Sequence, residues 1–176
     1  MNLTSQTPGL SYSRVDSTPI GAIEVFASQA GISRINLQGH SFQKSKQQNP
    51  INESELTRKA LQQILEYLSG QRRLFDLPLD LSAVSPFQKK ALLKSMEIPF
   101  GKVMTYGELA KCLENTAASR AVGGAMARNP LPLVIPCHRV VAADGRLTGY
   151  SAAEGIRTKQ WLLELEGHQI VSEKLA

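Results

Sequence analysis

Three boundary signals leave the second half of the chain little freedom in how it folds. Ser85-Pro86-Phe87-Gln88 has the form of a capping box with proline at the first helical position, so a helix is expected to start there. Thr105-Tyr106-Gly107-Glu108 is a second capping box, opening a helix that runs to about Leu113. A turn at Glu114-Asn115-Thr116 follows, and another helix spans about Ala117 to Arg128, where Asn129-Pro130 stops it. Two short helices around a tight turn make a helix-turn-helix. Ala118, Val122, Ala125 and Met126 recur at helical spacing and are expected to face the core. Leu109 and Leu113 lie one turn apart, and Cys112 beside them reads as a core or boundary residue. Gly123-Gly124 inside a helix lowers its propensity by about 1 kcal/mol per glycine relative to alanine, which points to close approach of another backbone or a substrate.

The first half follows a different period. Thr18 to Leu37 reads as short strands, IGAIEVFAS and ISRINLQ, with Gln29-Ala30-Gly31 as the turn. His40 to Asn52 is polar and is expected to be an exposed loop. A helix is expected from about Glu53 to Ser69, with Leu56, Ala60, Leu61, Ile64, Leu65 and Leu68 as its apolar stripe and Gly70 just past its end. FDLPLDLS, residues 75–82, is extended, and its proline argues for an edge or linker. A domain boundary near Ala83 divides the chain into 1–83 and 84–176. Further on, Asp144-Gly145 between VVAA and RLTGY signals a hairpin. A last helix runs from about Ile156 to Glu166, with Trp161, Leu162 and Leu165 as its apolar face and Gly167 at its end.

Charge and cysteine content narrow the function. The net charge of +5 is uneven: residues 1–84 hold 8 basic and 7 acidic side chains, whereas residues 85–176 hold 12 and 8. A basic half containing a helix pair fits nucleic-acid binding, although a solvated basic surface explains charge alone equally well. No run of about 18 apolar residues exists, so no membrane span is expected. Met1 to Leu10 lacks the charged start and apolar centre of a signal peptide, and two cysteines make no disulfide framework. His40, Cys112, Cys137, His138 and His168 are too scattered to ligate zinc, so no metal is expected.

Leu131 to Val141, LPLVIPCHRVV, carries the chemistry. Cys137 and His138 are adjacent inside an apolar run, with the charge of Arg139 next to them. Apolar surroundings raise a thiol's pKa unless a base or a positive charge offsets the burial. His138 can be that base, and a buried, assisted thiolate would be a nucleophile to which a dedicated electrophile must be brought. Taken alone, the pair also reads as a small core residue with a chance neighbour. Adjacent side chains on a strand point apart, so catalysis requires Pro136-Cys137 to break strand geometry or a water to bridge.

The tract belongs to a longer pattern. SPFQKKALLKSMEIPFGKVMTYGELAKCLEN, SRAVGGAMARNPLPLVIPCHRVV, DGRLTGYS and KQWLLELEG together resemble the O6-alkylguanine-DNA alkyltransferases, whose signature is PCHR. TPIGAIEVFASQAGISRINL resembles the family's N-terminal domain through weaker motifs. The resemblance implies an α+β fold: an RNase-H-like α/β domain over 1–83, a scaffold covering the back of the active-site domain in which no catalytic carboxylate cluster is visible, then a mainly helical winged-helix-like domain over 84–176 containing the helix-turn-helix. It implies a suicide repair reaction, methylated-DNA–[protein]-cysteine S-methyltransferase activity. The alkyl group of O6-alkylguanine, and less efficiently of O4-alkylthymine, passes irreversibly to Cys137 once the base is flipped from the duplex. No cofactor is implied.

The same resemblance assigns the roles. His138 is the general base, acting through a water, and Glu166 orients it. Asn129 ties the turn to the active-site loop, and Tyr106 donates to the departing base. Arg120 enters the base stack, with Thr105, Ala121, Gly124 and Arg128 beside it at the DNA. Met126, Pro132, Val140 and Ser151 line the substrate pocket. Ala125 and Ala127 add to the small residues that admit the DNA backbone. Each of these has an ordinary reading from the residues alone: Glu166 an exposed helix end, Asn129 a plain cap, Tyr106 surface packing, Arg120 a phosphate contact. The implied partner is double-stranded DNA bearing alkylated guanine, gripped in the minor groove with low sequence specificity by a monomer. The implied location is the cytoplasm, on the nucleoid in a bacterium, or the nucleus in a eukaryote. The path from Ser151 to Trp161, through Ala152-Ala153-Glu154-Gly155, is longer than the family's usual Gly-Gly route. A damage-sensing or regulatory helix-turn-helix module and a cysteine hydrolase are the competing readings.

Overall fold

The computed structural model describes residues 10–40 and 52–176. The polar stretch expected to be a loop therefore lies mostly outside the described residues. Its described ends, His40 and Asn52, are exposed.

A three-stranded antiparallel sheet comes first, in the order β1 (Ser11–Val15), β2 (Ala22–Ala27), β3 (Ile32–Gln38). The last two are the expected strands. Strand β1 escapes the hydrophobic pattern because two of its three inward positions are serines. Ser13 is fully buried and donates from its hydroxyl to Thr57 Oγ1 at 2.7 Å. That face of the sheet, with Ile23, Val25, Ala27, Ile35 and Leu37 buried, packs on helix α1 (Glu55–Leu68). Ser54 caps α1 reciprocally with Thr57, and Gly70 adopts φ +77° just beyond its end. The buried positions of α1 include Thr57, Ala60, Leu61, Ile64, Tyr67 and Leu68, whereas Leu65 is 41% exposed. The stripe is thus rotated from the expected one, and a tyrosine takes the inward place expected of a leucine. The 75–82 segment returns beside β3 rather than forming a strand of its own: Ile32 N donates to the Pro78 carbonyl and Asp80 N to the Ile32 carbonyl, both at 2.8 Å.

Helix α2 (Pro86–Ser95) starts where the sequence places it, but only half of its capping box forms. Ser85 Oγ accepts from Gln88 N, while the Gln88 amide donates to the Arg128 carbonyl at 2.8 Å. The Gln88 side chain is drawn to this tertiary partner instead of accepting from Ser85 N, and it ties α2 to the end of the helix pair. The box at Thr105 and Glu108 is complete and opens α3 (Tyr106–Cys112). A 3₁₀ turn, Thr116–Ala118, leads into α4 (Ser119–Ala127). Ala118, Val122, Ala125 and Met126 face inward as expected; Cys112 is exposed and is not a core residue.

The turn at Asp144-Gly145 forms, with Gly145 N donating to the Ala142 carbonyl, but no hairpin ladder extends from it. Short strands β4 (Met104–Thr105) and β5 (Val140–Val141) pair in parallel instead, so the segment after Cys137 is held against the start of α3. Helix α5 (Ile156–Leu165) ends at Glu166, and Gly167 has φ +94°. A small hairpin, β6 (Ile170–Val171) and β7 (Lys174–Leu175), closes the described chain. One apolar cluster runs from the sheet and α1 through α2, α3 and α4 to α5, so the two halves share a core. Among the described residues no helix is long and apolar enough to cross a membrane.

Candidate active site

The Cys-His tract is shaped by the end of α4. Asn129 Oδ1 accepts from Leu131 N at 2.9 Å, and Asn129 Nδ2 donates to the Ile135 carbonyl at 2.8 Å and to Cys137 Sγ at 3.2 Å. One side chain therefore fastens both ends of the apolar loop and touches the sulfur. Within that loop Leu133 is held at φ +74°, a backbone strain that the surrounding packing sustains. Cys137–Arg139 then form a single 3₁₀ turn. The strand geometry is broken there: the Cys137 sulfur meets the Asn129 amide, while the His138 and Arg139 side chains both reach Glu166.

The thiol of Cys137 is 5% exposed. Burial pushes its pKa up, and the Asn129 hydrogen bond and the Lys159 charge only partly offset this. The resting group is consequently a thiol, which needs a base before it can act as a nucleophile. Arg139 does not supply the offset, because its guanidinium faces Glu166 at 2.9–3.1 Å and donates to the Ile98 carbonyl at 2.7 Å.

His138 is fully buried, and its Nε2 lies 3.0 Å from Glu166 Oε1. Burial lowers its pKa, and the hydrogen bond to Glu166 does not reverse the shift. A neutral imidazole facing a carboxylate must donate from Nε2, which leaves the lone pair on Nδ1. Nδ1 is buried without a hydrogen-bond partner among the described residues.

Glu166 is buried at the helix end rather than exposed. Burial alone would raise its pKa, but hydrogen bonds from His138 and Arg139 prevail and hold it at about 2. Gly101 N donates to its second oxygen at 3.0 Å.

Two further residues have no counterpart in the sequence reading. Tyr67 of α1 donates from its hydroxyl to Glu166 Oε1 at 2.7 Å and lies 3.1 Å from His138 Nε2. Lys159 of α5 is fully buried, its Nζ donating to the carbonyls of Val140 at 2.5 Å and Thr148 at 2.8 Å, and burial brings its pKa down to about 8. A signal for Lys159 exists: it shares the inward face of α5 with Leu162 and Leu163.

Tyr106 stands beside Lys159, whose Nζ is 5.8 Å from its ring centroid, and donates to the Thr148 carbonyl at 2.9 Å. Burial raises the phenol's pKa, so the proton stays. Gly149, at φ +67°, is required here because a Cβ would stand 2.6 Å from the Tyr106 hydroxyl. Of the expected pocket residues, Met126, Pro132 and Val140 are buried and Ser151 is exposed, its hydroxyl donating to the Ala127 carbonyl at 3.0 Å. Arg120, Ala121, Ala127 and Arg128 are exposed along one face of α4, with half-buried Gly124 between them under the Arg128 guanidinium. Ala125 faces the core and is not part of that surface. Thr105, half-buried, is occupied by capping α3. Among the described residues no group of His, Cys, Asp or Glu side chains is arranged to hold a metal ion.

Comparison with known proteins gives matches over both halves of the chain. A family model described as "6-O-methylguanine DNA methyltransferase, ribonuclease-like domain" matches residues 11–81, and one described as "6-O-methylguanine DNA methyltransferase, DNA binding domain" matches residues 86–168. A methylated-DNA–protein-cysteine methyltransferase of Methanosarcina acetivorans is 39% identical over 161 residues, covering 89% of this chain and 98% of that protein. The constitutive one of Bacillus subtilis is 32% identical over 160 residues, covering 89% and 96%. A crystal structure of Mycobacterium tuberculosis OGT in complex with DNA superposes with a TM-score of 0.75 at 32% identity, covering 89% of this chain and 93% of that one.

Proposed function

The chain belongs to the O6-alkylguanine-DNA alkyltransferase family and is an alkyl-transferring DNA-repair protein; from that membership we propose that Cys137 is the acceptor and that His138, Glu166, Asn129 and Tyr106 serve it. The supporting observation is the buried His138 ring, one residue along the chain from the Cys137 thiol, with Nε2 committed to an ionised Glu166 and Nδ1 left without a partner among the described residues. His138 Nδ1 takes the Cys137 proton through a water. The sulfur attacks the alkyl carbon on guanine O6 as the carbon–oxygen bond breaks, and the bonding pair leaves with the base. The Tyr106 hydroxyl turns from the Thr148 carbonyl to give its proton to the departing guanine, which leaves neutral, and the phenolate, unfavourable in its buried setting, recovers a proton from solvent. Asn129 holds the sulfur in line through its amide. The product is a thioether that no neighbouring group cleaves, so each molecule acts once. The same chemistry at O4-alkylthymine is slower.

The protein binds DNA as a monomer through the exposed face of α4 in the minor groove, with low sequence specificity. Arg120 fills the gap left by the flipped base, and Thr105, Ala121, Gly124 and Arg128 border the backbone. Met126, Pro132, Val140 and Ser151 wall the pocket. The chain divides into a scaffold domain, 1–83, and a DNA-binding and acceptor domain, 84–176. It works wherever the cell keeps its DNA, on the bacterial nucleoid in the cytoplasm or in a eukaryotic nucleus. The test is intact-protein mass after mixing with a duplex containing O6-methylguanine. A gain of one methyl on the Cys137 peptide, stopping at one per molecule, is expected; turnover beyond one equivalent or a methyl elsewhere refutes the reading.

A further inference from the structure

We infer that Tyr67, from the N-terminal half, is a positioning residue of the alkyl-transfer site, fixing the tautomer and plane of His138 through its hydroxyl. The inference rests on the Cys137–His138–Glu166 reading above and adds a part to it that lies 71 residues from the histidine and 99 from the glutamate.

The hydroxyl sits in a triangle with Glu166 Oε1 at 2.7 Å and His138 Nε2 at 3.1 Å, and the latter two are 3.0 Å apart. All three groups are buried. The phenol proton goes to the ionised carboxylate, the stronger acceptor. That leaves the phenol oxygen's lone pairs facing Nε2. A hydrogen on Nε2 is then shared between two acceptors, whereas a ring protonated only on Nδ1 would put its lone pair against two oxygens. One tautomer is therefore selected, and it is the one whose Nδ1 can receive the thiol proton.

Packing alone does not call for a hydroxyl at this place. Tyr67 is fully buried on the inward face of α1, its ring 5.5 Å from that of Phe75 and edge-on to Phe100 at 6.3 Å. A phenylalanine would make the same ring contacts. The hydroxyl is useful because Glu166 and His138 are there, and it reaches them only when the N-terminal half is docked. That half thus acts as more than a scaffold: it completes the hydrogen-bond set of the base.

The test uses the full chain with Tyr67→Phe, and Phe75→Leu as a control that loosens the same packing while keeping the hydroxyl. Single-turnover methyl transfer from an O6-methylguanine duplex is followed with binding to the same duplex. The maximal rate of Y67F is expected to fall about tenfold, since small losses of alignment in proton transfer act on the chemical step, with affinity kept within about twofold. The hydrogen-bonded Nε2 proton of His138, followed by nitrogen-15 NMR, is expected to shift in Y67F and to hold in F75L. A wild-type rate in Y67F, an unchanged imidazole signal, or an equal rate loss in F75L at equal loss of Tm would overturn the inference. Wild-type protein that fails to take a methyl on Cys137 would instead overturn the reading beneath it.

Discussion

Glu24 and Glu166 are the two buried carboxylates among the described residues, and they are satisfied in nearly the same way. Glu24 accepts from the Tyr12 hydroxyl at 3.0 Å, Arg14 at 3.0 Å, Asn36 at 3.1 Å and Gln38 at 2.7 Å. Glu166 accepts from the Tyr67 hydroxyl, Arg139, the Gly101 amide and His138. Each has a tyrosine and an arginine. The difference lies in the remaining partners and in distance along the chain. The partners of Glu24 are 10–14 residues away on neighbouring strands, and its amides only donate. The partners of Glu166 are 27–99 residues away, and one is an imidazole whose far nitrogen is left unpaired. Burial and a full hydrogen-bond set do not mark a reactive site. What sets Glu166 apart is a titratable partner, His138, whose far nitrogen has no partner among the described residues.

The largest cut through this contrast is at the sulfur. Cys137→Ser is expected to abolish methyl transfer while leaving affinity for the damaged duplex unchanged, because a hydroxyl is a far weaker acid than a thiol and a far poorer nucleophile toward a saturated alkyl carbon. A mass measurement paired with a binding assay checks it; residual transfer would mean the methyl goes elsewhere. Next come the carboxylates themselves. Glu166→Gln can no longer stabilise an imidazolium and should lower the transfer rate by about a hundredfold or more. Glu24→Gln should lower Tm and leave the rate within about twofold per folded molecule. If the two variants lose rate equally, the distinction between the networks collapses.

Local signals were legible in the sequence and long-range ones were not. The Thr105–Glu108 box, Gly70 and Gly167 mark helix ends because capping is decided within a few residues. Gln88 follows the same rule on paper, yet its amide finds the Arg128 carbonyl instead. Strand β1 hides because Ser11 and Ser13 occupy inward positions and are satisfied by hydroxyls on and before α1. Cys137 and His138 stand out as an adjacent pair inside an apolar run, whereas Asn129 and Glu166 are singled out only by the family resemblance. Residue patterns alone would leave Glu166 at a solvated helix end. Tyr67 was missed because its partners arrive from the other end of the chain. Its signal was weak but present: continuing the 57, 60, 64 period of α1 leads to Tyr67 rather than to Leu65.

Acid sharpens the comparison by a smaller step. The Glu166 carboxyl is held at about 2 against an ordinary 4.5. A carboxyl depressed on folding stabilises the protein while ionised, so its contribution is complete above pH 4.5 and fades as pH falls toward 2. The shift corresponds to about 3 kcal/mol. Denaturation followed from pH 6 to 2 should therefore show an acid limb that is shallower in Glu166→Gln than in the parent. Parallel limbs would mean that the carboxyl's environment is not what sets acid stability.

The smallest effect separates two arginines. Arg14 is 21% exposed in its side chain and pairs with Glu24; Arg120 is exposed on the first turn of α4 and makes no ion pair among the described residues. If Arg120 enters the duplex, its guanidinium matters only when a base must leave a stack. Arg120→Ala should then slow repair of O6-methylguanine in duplex DNA about tenfold, because extruding a stacked base requires a few kcal/mol that the inserted side chain helps to offset. Reaction with the free O6-alkylguanine base, which needs no flipping, should be unchanged, and so should Tm. Arg14→Ala should do the reverse, lowering Tm through the unsatisfied Glu24 and leaving both reactions alone. Equal losses on duplex and free base in Arg120→Ala would move this arginine from the stack to the pocket or the fold.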